Sequence, residues 1–303
     1  MKKITVSPNV IAILLLLVSS CIVQAQEKPA PLVTSGNESK FVTIYGAKIH
    51  YLEAGTGQEV VILLHGMGGD ATNWAQTIKP LSAKYRVIVP DQIGFGLSDK
   101  PSLNYRISTF VDFLNQLYKE LKIERASLVG NSLGGWIATT FAFTYPEKVE
   151  RLVLVDSSGF KSLTDKMDYN VVDAGSREAA RRLLSLLFYD DKRFVSDAAV
   201  ERIYAKKIMT GDSHTIQRLL ASFSRGEDIL DNRLSAVKQP TLIIWGRDDE
   251  LIPLEYGERL KKEIQGSELF VIDKCGHVPQ IERADVFNPT LLKFLGGANV
   301  SVK

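Results

Sequence analysis

Cysteine is nearly absent from this 303-residue chain: there are two, Cys21 and Cys275. One pair so placed cannot build a disulfide scaffold. Histidine is also scarce, with His50, His65, His214 and His277 scattered singly. Without clustered His and Cys there is no pattern for a zinc site, and neither a metal nor a cofactor is expected. A basic surplus is missing too, since 37 Lys+Arg against 35 Asp+Glu gives a net charge of +2. That excludes the electrostatic footprint of a nucleic-acid binder. No apolar run is long enough to span a bilayer; the longest, Val10–Val18, falls well short. Internal repeats and low-complexity tracts are absent as well, and the length allows one or two domains.

The N-terminus reads as a targeting segment. Lys2 and Lys3 form a positive start, Val10–Val18 an apolar middle, and Val23-Gln24-Ala25 a small-x-small cleavage site, so residues 1–25 are expected to be a signal peptide. Val18-Ser19-Ser20-Cys21 offers a competing outcome, in which Cys21 is lipidated and anchors the chain to a membrane. Either outcome means export. Removing residues 1–25 takes away two lysines and no acid, which leaves a mature chain of zero net charge with Cys275 as its one thiol. Residues 26–40, rich in Pro, Ser, Glu and Lys, read as a flexible leader.

Beyond it, Phe41–Tyr45 and Lys48–Glu53 alternate around Gly46 as a hairpin. Val60–Leu64, Arg86–Val89, Ala126–Val129, Leu152–Val155, Thr241–Trp245 and Leu269–Ile272 are short apolar runs, the signature of strands covered on both faces. Helical spacing appears at Ile107–Leu121, Leu133–Tyr145, Leu254–Ile264 and Val286–Leu295. Alternation of the two predicts an α/β fold, a mainly parallel sheet flanked by helices, built from 41–158 and 228–297. Residues 159–227 hold no strand and cluster Leu183, Leu184, Leu186, Leu187 and Phe188; they read as an inserted helical cap.

The chemistry gathers where strands end. Gly130-Asn131-Ser132-Leu133-Gly134 follows one strand and opens a helix, a Gly-x-Ser-x-Gly turn that would expose a serine hydroxyl beside unpaired helix N–H groups. His65-Gly66-Met67-Gly68-Gly69 follows another, with glycines that let a backbone N–H turn inward. Asp91…Ser98 lacks the spacing of a nucleotide loop and is expected to brace the His65 loop. Asp248-Asp249 and His277 each lie beyond a further strand. Ser, acid and His in that order form the set needed to activate a serine nucleophile, with the choice between Asp248 and Asp249 left open by the strand pattern. His50 and His214 carry no motif and read as structural.

On these residues the chain resembles the α/β-hydrolase superfamily across most of 41–297. The matching pieces are His65-Gly66, Asp91…Gly94-Phe95-Gly96…Ser98, Gly130–Gly135, Trp245-Gly246-Arg247-Asp248-Asp249…Pro253 and Gly276-His277…Glu282. The resemblance places the acid on Asp249, four residues before Pro253, and implies an oxyanion hole from the N–H groups of Met67 and Leu133. Serine at the turn separates the chain from the aspartate-dependent branches. Local similarity is to the meta-cleavage-product C–C bond hydrolases, through Gly-Asn-Ser-x-Gly-Gly, Trp-Gly-Arg-Asp-Asp and Cys-Gly-His. That likeness makes Asn131 and Arg202 substrate-binding candidates, Arg202 lying twelve residues after Leu187-Phe188-Tyr189-Asp190.

Val278-Pro279 after the histidine, Gly96 after Gly94-Phe95, and the export signal depart from that subgroup. The expectation from sequence is therefore an exported carboxylic-ester hydrolase acting on a small apolar acyl or aromatic substrate. A C–C bond hydrolase of vinylogous diketones is the alternative, and a non-catalytic binding protein on the same scaffold is the alternative of another class.

Overall fold

The computed structural model describes residues 37–166 and 168–300. The signal segment, Cys21 and most of the 26–40 leader lie outside those residues. Eight strands form one sheet: β1 (Glu38–Ile44), β2 (Ala47–Ala54), β3 (Val60–Leu64), β4 (Arg86–Pro90), β5 (Ala126–Asn131), β6 (Val149–Val155), β7 (Thr241–Gly246) and β8 (Glu268–Ile272). Their order across the sheet is β1-β2-β4-β3-β5-β6-β7-β8. Pairings β1–β2 and β2–β4 are antiparallel and all the others parallel. The first strand starts at Glu38 rather than Phe41, so the leader as read from sequence runs three residues too far. Backbone pairing of Glu38 with Glu53, reinforced by Lys40 Nζ on Glu53 at 2.8 Å, holds those polar residues in the strand.

The helices in chain order are α1 (Ala75–Ser82), α2 (Ile107–Glu120) and α3 (Leu133–Thr144), then α4 (Lys161–Thr164), α5 (Tyr169–Asp173), α6 (Arg177–Leu187), α7 (Asp191–Phe194), α8 (Asp197–Thr210) and α9 (Ser213–Ser224), then α10 (Leu254–Glu263), α11 (Pro279–Glu282) and α12 (Ala284–Leu295). Alternate strand residues feed two cores. Ile62, Leu64, Leu128 and Leu154 pack on one face of the sheet with Trp136 and Phe141 of α3. Val61, Leu63, Val129 and Val153 pack on the other with Ile78 of α1 and Phe287 and Leu291 of α12. Burial on both faces is why these strands read as unbroken apolar runs, and each such side chain contributes roughly 1.5–3 kcal/mol.

Helices α4–α9 make the insert between β6 and β7. A smaller core of Ala180, Leu184, Ala199 and Val200 holds α6 against α8. Ser176 and Ser196 cap those two helices by accepting from the N–H of Ala179 and Ala199, and Gly211 in the left-handed region (φ 63°) ends α8. The two ends of the insert meet, since Leu230 N–H donates to the Gly159 carbonyl at 2.8 Å. Among the described residues no helix is long and apolar enough to cross a membrane.

Candidate active site

The strand order reverses about β3, with β4 on one side and β5 on the other. In a parallel sheet such a reversal opens a crevice beyond the strand ends. The loop after β3 and the turn after β5 both enter it.

Ser132 sits between β5 and α3 at φ 55°, ψ −118°, a strained conformation for a residue with a side chain. Its surroundings enforce it. A Cβ on Gly130 would collide with the Gly134 carbonyl, and one on Gly134 with the Leu64 carbonyl of β3. Ser132 N–H donates to Val155 O at 2.9 Å, and its carbonyl accepts from Gly135 and Trp136 at 3.0 and 3.2 Å. Leu133 is the first residue of α3, where a backbone N–H has no partner within the helix. Across the crevice, Gly69 N–H closes on Gly66 O at 3.1 Å and turns the chain around Met67.

The His65 loop is braced as expected. Gln92 N–H points at His65 Nε2 at 3.0 Å, so the other nitrogen carries the proton and donates to Gly66 O at 2.7 Å. Burial depresses the His65 pKa and keeps the ring neutral. Asp91 accepts from Ala71 N–H and Leu97 N–H, both at 2.7 Å, and lies 2.9 Å from His50 Nδ1.

Beyond β7 and β8 the acid and the histidine meet. His277 Nδ1 lies 2.7 Å from Asp249 Oδ2, with both side chains buried. The second oxygen, Asp249 Oδ1, accepts from Leu251 and Ile252 N–H at 2.9 and 2.8 Å. Asp248 is exposed. An imidazole held through Nδ1–H by a buried carboxylate presents Nε2 as a base. Its backbone is fixed from the insert: His277 N–H donates to Leu187 O at 2.8 Å, while buried Glu282 accepts from Gly276 N–H at 2.7 Å and Asp190 N–H at 2.8 Å.

Ser132, His277, Met67, Leu133 and Asn131 all line one cavity of about 170 Å³. Trp136, Leu187, Ile203, Ile216, Phe223 and Val278 give it an apolar wall. Asn131 reaches the cavity with its donors already engaged, since Nδ2 donates to Val155 O and His277 O, both at 3.1 Å. Only its Oδ1 is left for a substrate. Arg202, the other candidate that the resemblance offers, is exposed and does not line the cavity, so it lies on the solvated side of α8. The face of α8 that does so carries Ile203, Lys206, Lys207 and Thr210, one helical stripe. Lys206 Nζ pairs with Asp70 at 2.7 Å, and Lys207 Nζ with Asp212 at 2.9 Å.

One further residue escaped the sequence reading. Asp156 follows β6, is fully buried, and lies with Asp249 and His277 in a cluster in which one polar atom of each residue is within 4.8 Å of the other two. The signal was available, because an acid beyond the end of a buried strand is what drew attention to Asp249.

This is the architecture of an α/β hydrolase, and the chain belongs to that family: the model of the alpha/beta hydrolase fold matches residues 59–284. Among its relatives is the 2-hydroxy-6-oxononadienedioate/2-hydroxy-6-oxononatrienedioate hydrolase of Paraburkholderia phymatum, 32% identical over 286 residues that cover 87% of this chain and 97% of the relative. A solved meta-cleavage product hydrolase from Pseudomonas fluorescens IP01 is 33% identical with a TM-score of 0.77, over 86% of this chain and 98% of that one. A solved membrane phospholipase A is 26% identical with a TM-score of 0.79, over 95% and 97%. A hydrolase of this fold is thus established. Between the two enzymatic readings, the relatives' names side with the alternative and not with the ester hydrolase favoured from sequence.

Proposed function

We propose that the protein is a serine hydrolase that cleaves a C–C bond in a small vinylogous diketone of the meta-cleavage type. The supporting observation is that Ser132 and the Asp249–His277 pair open on one apolar cavity, in a chain that matches hydrolases of this kind over 86–87% of its length. In this reading His277 Nε2 takes the proton of Ser132 Oγ as the oxygen adds to the keto carbonyl. Asp249 stabilises the imidazolium that results. The N–H groups of Met67 and Leu133 hold the oxyanion, each worth roughly 3 kcal/mol of barrier. As the carbonyl re-forms, the C–C bonding pair departs onto the conjugated fragment, which takes up the proton. Water, deprotonated by His277, then frees the acid from Ser132.

A second reading, ester hydrolysis, is favoured by one specific observation. The cavity's cations are already paired, Lys206 with Asp70 and Lys207 with Asp212, and Arg202 is outside. A substrate carboxylate would have to displace an internal partner. The test is to compare 2-hydroxy-6-oxo-6-phenylhexa-2,4-dienoate, followed by loss of its conjugated absorbance, with p-nitrophenyl esters of increasing chain length. The proposal expects kcat/KM for the dienoate to be the larger, and the reverse order would replace it with the ester reading. We place the enzyme outside the cytoplasm, on the strength of Lys2-Lys3 and Val10–Val18. The mass of the mature N-terminus decides between cleavage after Ala25 and a lipid on Cys21, and an intact Met1 would refute export.

A further inference from the structure

The site holds one acid more than a Ser-His-Asp set requires. Asp156 lies at the end of β6, buried with no exposed surface, and one of its carboxylate oxygens is within 4.8 Å of a polar atom of Asp249 and of His277. Two carboxylates in a dry pocket cannot both stay ionised, because their repulsion and the cost of desolvation both disfavour the second charge.

The hydrogen-bond donors decide which one keeps it. Asp249 receives three: Leu251 N–H and Ile252 N–H on Oδ1, and His277 Nδ1 on Oδ2. Asp156 receives one, from Gly246 N–H to Oδ1 at 2.9 Å, and its Oδ2 is buried with no donor. The remaining groups around it do not help. Glu282 adds negative charge, and Cys275 is a thiol that burial and the nearby acids keep protonated. His277 is committed to Asp249.

We infer that Asp156 is a positioning residue, a neutral carboxylic acid whose O–H donates to the Asp249 carboxylate and so fixes both the direction and the basicity of the acid that orients His277. Burial, and next the Asp249 charge, raise the Asp156 pKa well above the usual carboxylate range, as this requires. The inference rests on the serine-hydrolase reading for its catalytic consequence, and on geometry alone for the protonation state.

Two measurements test it. In protein labelled with ¹³C-aspartate, the difference infrared spectrum of wild type against Asp156→Asn at pH 7 should show a carboxylic-acid carbonyl band that the variant lacks. The absence of that band overturns the proposal. The second is the acid limb of kcat/KM against pH on the phenyl dienoate, or on the best p-nitrophenyl ester if esters prove the better substrates. Asp156→Asn keeps a donor and adds no charge, so the limb should stay in place. Were Asp156 ionised in the wild type, losing its charge beside His277 would move the limb down by about one unit or more, which refutes the inference. Asp156→Ala removes the donor, leaves Asp249 more basic and should move the limb up; an Ala profile equal to wild type would refute the positioning role. If Asp156→Asn fails to fold, the wild-type infrared band decides by its presence or absence. That arm needs no turnover, so a chain lacking serine-dependent activity would sink the functional reading and leave this inference standing.

Discussion

Replacing Asp249 with Asn should nearly abolish turnover, and the structure says how. The side of the carboxylate that faces Leu251 and Ile252 receives two N–H groups, so the amide of an Asn must place its oxygen there. Its NH2 is then forced toward His277 Nδ1, which sits 2.7 Å from the present Oδ2. An N–H facing Nδ1 drives the imidazole proton to Nε2, the nitrogen that has to accept from Ser132. The charge is lost as well. An imidazolium and a carboxylate about 4 Å apart at an effective dielectric near 20 attract by about 4 kcal/mol, roughly a thousandfold in rate. With the wrong tautomer added, the loss should approach about 10⁴-fold. Asp248 provides the control on the adjacent residue: it is exposed, and Asp248→Asn should change kcat/KM less than about twofold. Steady-state rates on one substrate, with circular dichroism to verify folding, settle the matter. Equal losses in the two variants would refute the assignment of the acid.

Other outcomes follow from the same geometry. Ser132→Ala should lower kcat by about 10⁴-fold or more without unfolding the chain, and wild-type turnover in that variant would remove the nucleophile from the reading. Gly134→Ala forces a methyl group onto the Leu64 carbonyl and should cost about 2–4 kcal/mol, visible as a lowered Tm; an unchanged Tm would contradict the close approach. Arg202→Ala should alter kcat/KM less than about threefold on any substrate, since the side chain is exposed and away from the cavity; a loss confined to carboxylate-bearing substrates would show that the arginine reaches it after all. Burial opposes ionisation of Asp70, but the Lys206 ammonium and hydrogen bonds from Lys206 and Thr72 outweigh it and hold the pKa at about 2. A depressed pKa contributes stability above the unfolded value and loses it as pH falls through the folded one. The stability gap between wild type and Asp70→Asn, about 2 kcal/mol near neutrality and read as a difference in Tm, should therefore close between about pH 4 and 2. A gap that widens on acidification would refute the pairing with Lys206.

Much of this was legible before any coordinates, for physical reasons that particular residues show. Val60–Leu64 and Thr241–Trp245 read as strands because both of their faces are buried. Ser132, His277 and the pair Asp248-Asp249 stand out because each lies just past such a strand, where a parallel sheet presents its side chains; the resemblance alone then points to Asp249. What escaped was short or depended on helical phase. Ala75–Ser82 contains Pro80 and is too brief for its period to register. On α8 the cavity-facing stripe of Ile203, Lys206, Lys207 and Thr210 contains two charged residues, so polarity gives no clue to which side faces inward. Arg202 was chosen by resemblance and lies one position off that stripe. Asp156 carries the same positional signal, an acid just past a buried strand, but no motif surrounds it, and the count of donors is what then sets it apart.

The bond between Leu230 N–H and Gly159 O has a consequence for how such a protein changes its trade. Chain that leaves the sheet at Gly159 returns within one hydrogen bond of where it left. The detour is a closed cassette: lengthening or exchanging it changes loop entropy by only about 0.6 kcal/mol per doubling of its length and leaves every strand in register. Ser132, Asp249 and His277 stay with the sheet, while Leu187, Ile203, Ile216 and Phe223 of the cavity wall travel with the cassette. Two joints that hold the histidine segment limit the exchange. A replacement must still offer a carbonyl where Leu187 meets His277 N–H and an N–H where Asp190 meets Glu282. A library of transplanted inserts that keeps those two contacts would sample new substrates on an unaltered catalytic frame, and one that drops them would lose the histidine's alignment with the insert.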